Sequence, residues 1–238
     1  LPISYEKFNV LYIGNSNPKF KYSLNSHPLD GFETGCKDLG IFMSKNLSFS
    51  VHCEKLVSTA SKISGMLFRS FVSKDRKLLI KGYKTYVRPI LEYSTPVWSP
   101  NLCADINSIE SVQRRFTKRL LYGYNLSYDN RLKQLNLQRL ELRRIHFDAI
   151  MCYNIIKQSV LRFNDFYCYS DYGRTRSTNQ ESLSISKFKS ETKRHSFAIR
   201  SAYIWNHLPN EVKKAINLHI FRSKIEKVDF SIFLRGRT

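Results

Sequence analysis

SVHCEKLVSTASKISGMLFRSF, residues 50–71, sets Leu56, Ala60, Ile63, Leu67 and Phe71 three or four positions apart. That spacing belongs to one face of an α-helix, and it predicts an amphipathic helix over the stretch. Lys55, Lys62 and Arg69 recur every seven residues, so they form one basic line flanking the apolar stripe. Such a line is either a solvated face or a contact for a phosphate backbone.

The helical rhythm continues downstream. Asp75 stands where an N-cap belongs, Leu78, Leu79, Tyr83, Tyr86 and Val87 follow at helical spacing, and Pro89 is expected to kink or end that helix. EYSTPVWSP (92–100) carries two further prolines and reads as a rigid turn or extended bridge with Trp98 in the core. A third helix is expected over 105–121, with Ile106, Ile109, Gln113, Phe116 and Leu120 on one face. Beside that face lie Arg114, Arg115, Lys118 and Arg119, four cations within two turns, with Glu110 placed to pair with Arg114. A fourth helix over 138–158 has two apolar stripes, which predicts a central, largely buried rod whose first turns carry Arg139, Arg143 and Arg144.

The segments on either side differ. Residues 1–49 read as β-rich: an apolar run at 8–14 closed by the turn-forming NSNP, a second strand at 20–24, and DLGIFMS at 38–44 followed by a turn at Lys45-Asn46. Residues 163–191 turn polar and Ser-rich, with GRTRST at 173–178, and read as a loop or linker. From Thr192 a tail domain holds HSFAIRSAYIWNHLP (195–209) and a short helix around 221–228. The predicted class is α+β, mostly α: edge strands in 1–49, a helical domain in 50–162, the linker, and a small domain in 192–238.

Composition narrows the partner. Thirty-nine Lys and Arg against nineteen Asp and Glu give a formal net charge of +20 on 238 residues, of which 42% are hydrophobic. The chain can bury a core, and its charge calls for a polyanion. No apolar run approaches the roughly 18 residues that span a bilayer, so nucleic acid is favoured over a membrane. The five cysteines are widely and irregularly spaced, which argues against a zinc site and fits a reducing, intracellular setting. The opening LPISYEKFNV lacks the features of a signal peptide and is expected to be internal to a longer reading frame.

Four stretches, in order, resemble one family: KFNVLYIG (7–14); KDLGIFMSKNLSFSVH (37–52); YKTYVRPILEYSTPVWSP (83–100) with IESVQRRFTKRL (109–120); and SFAIRSAYIWNHLP (196–209). Together they are similar to the end of the polymerase region of non-LTR (LINE-like) retrotransposon reverse transcriptases, in the jockey-like branch. The resemblance implies that the first stretch is the last palm strand and that Asp38-Leu39-Gly40 is a primer-grip-like segment, with Leu39 and Gly40 against the primer. The helices would be the thumb that closes on RNA template and DNA primer. Lys55, Lys62, Arg69, Arg114, Arg115, Lys118, Arg119, Arg143 and Arg144 would then be its nucleic-acid contacts.

The family's polymerases hold two magnesium ions on a Tyr-X-Asp-Asp loop and a further Asp. No Asp-Asp pair occurs in this chain. The expectation is therefore a fragment that grips an RNA/DNA hybrid for an active site upstream, with no catalytic residue, metal site or cofactor of its own and no activity alone. Its location would be the nucleus or a cytoplasmic ribonucleoprotein. The alternative is a non-enzymatic RNA- or DNA-binding module derived from a retroelement.

Overall fold

The structure, a computed structural model, describes residues 8–170 and 181–236 apart from positions 9, 15, 30, 33, 72 and 74. Helix α1 (Ser50–Ser70) forms over the predicted stretch, with Phe71 as its C-cap. Ala60 and Leu67 are buried, and Leu56, Ile63 and Phe71 pack half-buried against the same core. Asp75 caps α2 (Arg76–Gly82) by accepting from the Lys77 amide at 3.0 Å.

Pro89 does not end this helical run. Residues Tyr83–Val87 widen into a π-helical turn, and α3 (Arg88–Glu92) carries Pro89 in its first turn. The wider turn sends the Arg88 amide back to the Tyr83 carbonyl. A proline in the first turn of the new register then lacks only a donor that such a turn leaves unpaired anyway. Of the turn or extended bridge expected at 92–100 the turn forms: Ser94 turns left-handed (φ 52°), and α4 (Thr95–Trp98) follows as a helical turn with proline near its start. Trp98 is fully buried there, its indole N–H donating to the Tyr93 carbonyl at 2.7 Å.

All five residues predicted for the inner face of α5 (Cys103–Leu120) are buried. A short helix that the periodicity does not announce follows, α6 (Tyr128–Leu135), capped by Ser127 and closed by Asn136 in the left-handed region. Next comes α7 (Leu140–Gln158), whose N-cap residue, Arg139, supplies no side-chain cap. Glu110 of α5 does so instead, accepting from the Leu140 amide at 3.0 Å and the Glu141 amide at 3.3 Å. The carboxylate placed for an ion pair along its own helix is thus buried and caps another one.

The apolar residues gather into two cores. The first unites Leu67, Leu79, Tyr83, Trp98, Phe116 and Leu140, with Tyr83 stacked on Phe116 at 4.5 Å. The second takes α7 from Ile145 onward and packs it on α9 (Phe197–His207) and α11 (Leu218–Ile225), with Tyr153 stacked on Phe221 at 4.4 Å. Two short helices, α8 (Glu191–Arg194) and α10 (Asn210–Lys213), complete the tail. Within the stretch read as a linker, Tyr167 and Leu183 are buried in the second core, and Tyr169 bridges Leu183. The GRTRST motif lies outside the described residues.

The strands are short. β1 (Val10–Leu11) pairs in parallel with β4 (Gly31–Phe32), and β2 (Tyr22–Leu24) pairs antiparallel with β3 (His27–Leu29). DLGIFMS is not one strand but the end of β5 (Gly35–Asp38), a turn at Leu39–Gly40, and β6 (Ile41–Ser44), paired antiparallel. The class is α+β and mostly α, as predicted. No helix among the described residues is long and apolar enough to cross a membrane.

Candidate nucleic-acid interface

Helices α1 and α5 pack along their length, and small residues on α1 decide what lies in the seam. Ser61, Ser64 and Gly65 leave a shallow groove, and the long cations of α5 lie across it. Arg115 donates to Ser61 Oγ at 3.2 Å and to Ser111 Oγ at 3.3 Å, while the Arg119 guanidinium stands 4.3 Å from the Phe68 ring centroid. From α1, Arg69 reaches back over Gly65, where an added Cβ would meet its Nη1 at 3.4 Å. Lys62, Arg69, Arg115, Lys118 and Arg119 are all exposed. Arg69 and the pair Arg115 and Arg119, almost fifty residues apart in sequence, thus border one groove.

The other candidates lie elsewhere. Lys55 is exposed, but its ammonium sits 3.8 Å from the Phe42 ring centroid, over the β5–β6 hairpin. Arg114 is half-buried and turned toward α6, 4.9 Å from the Tyr128 ring centroid. Arg143 forms a two-point ion pair with Glu92 of α3, its Nη2 3.0 Å from Oε2. Arg144 is only 2% exposed. Arg144 is therefore corrected from an outward phosphate contact to an interior group, and Arg143 is half-buried and engaged by Glu92, because that helix runs through both cores.

Leu39 and Gly40 form the tip of the β5–β6 hairpin. Both have positive φ, 43° and 89°, and Leu39 is 82% exposed. Glycine takes this conformation at no cost, whereas leucine does not. The Tyr93 hydroxyl donates to the Leu39 carbonyl at 3.2 Å and ties the hairpin to the end of α3. A bulky apolar side chain is thus held outward on a pinned turn.

Tyr122 escapes a reading by periodicity. It is 88% exposed just past the end of α5, four residues after Lys118. An exposed aromatic next to cations can stack on a base. Its signal in the sequence was its place beyond the last residue of the apolar stripe. Among the described residues no group of three or more His, Cys, Asp or Glu side chains could hold a metal ion.

No family model matches the chain, and no solved structure matches it. Over 131 residues, 54% of its length, the chain is 30% identical to a Caenorhabditis elegans protein described only as uncharacterized. The aligned part spans 66% of that protein, just under two thirds.

Proposed function

We propose that the chain binds nucleic acid across the α1/α5 face, serving as the thumb-like part of a non-LTR reverse transcriptase that holds RNA template and DNA primer for an active site carried outside these residues. The observation behind this reading is the gathering of Arg69, Arg115 and Arg119, exposed cations from two helices, along one groove, with exposed Lys62 and Lys118 on the same two helices. A surface of this kind contacts phosphates without reading bases, since guanidinium and ammonium groups pair with backbone oxygens of any sequence. The collinear resemblance described above selects a template–primer duplex among possible polyanions. Leu39 on its pinned turn would touch the primer, and the exposed Tyr122 would stack at the edge of the face. The chain supplies positioning and no bond-making step.

A salt titration of binding to an RNA/DNA hybrid tests this. Wild type should lose affinity steeply as salt rises, and a variant with Arg115, Lys118 and Arg119 changed to Ala should lose both affinity and slope, by about one unit of slope per phosphate contact removed. Salt-independent or undetectable binding by the folded chain would sink the proposal. Equal affinity for hybrid, duplex DNA and single-stranded RNA would favour the general RNA- or DNA-binding module instead.

A further inference from the structure

Between the two cores lies a cavity of about 390 Å³, bounded by α5, α7, α9 and the end of the chain. Six charged groups line it: Arg144, Arg194, Arg200 and Arg235 against Glu141 and Asp148. The carboxylates are already engaged. Asp148 accepts two bonds from Arg200, at 2.7 and 3.1 Å, and Glu141 accepts the backbone amides of Arg235 and Gly236 at 2.7 and 3.0 Å. Arg144 has Glu110, Glu141 and Asp148 near enough to favour its charge, but its terminal nitrogens bond to none of them: it is 2% exposed, and both nitrogens are enclosed without a hydrogen-bond partner.

A guanidinium is charged at any physiological pH and presents donors in a fixed fork. Burying one without a partner is unfavourable, and the group that matches the fork is an oxyanion. Arg194 also pairs with Glu191 at 3.4 Å, so four arginines against three carboxylates leave a formal surplus of one positive charge, which suits an oxyanion. The rest of the lining is largely apolar and aromatic apart from Ser99, Asn101 and His195, with Phe188 and the 44% exposed Tyr203 among the residues around it. The volume is in the range of small-molecule sites.

We propose that this cavity binds a phosphate monoester, its phosphoryl oxygens bonded by Arg194 and Arg235 over the enclosed positive charge of Arg144, and its organic part against Tyr203 and Phe188. The same chemistry is offered by a free phosphate ester and by the phosphorylated end of a nucleic-acid strand. The site is separate from the α1/α5 face and holds or fails independently of it.

Calorimetric titration of the 238-residue chain with phenyl phosphate, phenol and inorganic phosphate tests the proposal. Phenyl phosphate should bind, inorganic phosphate more weakly, and phenol not at all. Arg144→Met should weaken phenyl phosphate binding tenfold or more while the chain melts at no lower temperature. Arg194→Gln, at a side chain that is half exposed, should weaken it several-fold and serves if the buried change prevents folding. A 5′-phosphorylated dinucleotide that displaces phenyl phosphate, where its 5′-hydroxyl counterpart does not, identifies the strand end as the source; failure to displace identifies the free ester. The proposal is overturned if neither phosphate ester binds, if phenol binds as tightly as phenyl phosphate, or if the folded variants bind as wild type does.

Discussion

Glu110 has an unremarkable position in sequence, four residues before an arginine on an amphipathic helix. Its carboxylate accepts the Tyr128 hydroxyl, the Leu140 and Glu141 amides and the Gln113 side-chain amide at 3.4 Å. A surface i,i+4 pair contributes tenths of a kcal/mol. Removing a buried acceptor strands every donor it served, so Glu110→Ala should cost about 3–5 kcal/mol in urea denaturation, and a loss below about 1 kcal/mol would show that the α7 cap lies elsewhere. His146 supplies a second prediction. Burial first, and Arg143 second, push its imidazole down to about 4, and its Nε2 has no partner beside Phe230. Its folded pKa lies below the unfolded value near 6.5, so the unfolded chain binds the extra proton between the two. Stability should be full above about pH 6.5 and fall by up to about 3 kcal/mol toward pH 4. His146→Phe should flatten a plot of melting temperature against pH over that window, and an unchanged slope would exclude the residue as its origin.

At the scale of elements, the β5–β6 turn and the run from α2 to α3 show two ways a local rule is met or broken. The π turn reconciles Pro89 with a continuing helix by changing register before it. The hairpin tip holds a leucine where glycine or asparagine would be relaxed, and backbone strain of that kind concentrates at functional positions. Leu39→Asn should therefore raise stability by about 0.5–1 kcal/mol while weakening binding to an RNA/DNA hybrid. If it does neither, the turn is neither strained nor in contact with primer. The helices over 50–71, 105–121 and 138–158 were legible because long apolar periodicity survives small errors in register. α6 was not: eight residues hold barely two turns, and its cap, Ser127, follows a left-handed Asn125 in an irregular approach.

For the molecule as a whole, α7 and Arg200 join what the two cores would otherwise leave separate. Arg200 of α9 bonds Asp148 of α7, the His195 carbonyl at 3.0 Å, and the Pro96 carbonyl of α4. Burial pushes the Asp148 carboxyl up, and Arg200 offsets only part of that rise. Arg200→Met alone strands a buried carboxylate and should cost about 3–5 kcal/mol, whereas Arg200→Met with Asp148→Leu should recover most of that loss in thermal denaturation. No recovery would mean that the arginine acts through its carbonyl contacts.

Composition and periodicity, read alone, specified the α+β class, the three long helices with their apolar faces, and the excess of basic charge. Those properties follow from residue type and spacing along one element, and each can be evaluated without knowing its neighbours. The fate of individual charges could not be evaluated that way. Arg69 and Arg119 border one groove while Arg143 pairs with Glu92 and Arg144 is buried, because burial is a relation between elements: it was set only when α1 met α5 and α7 threaded both cores.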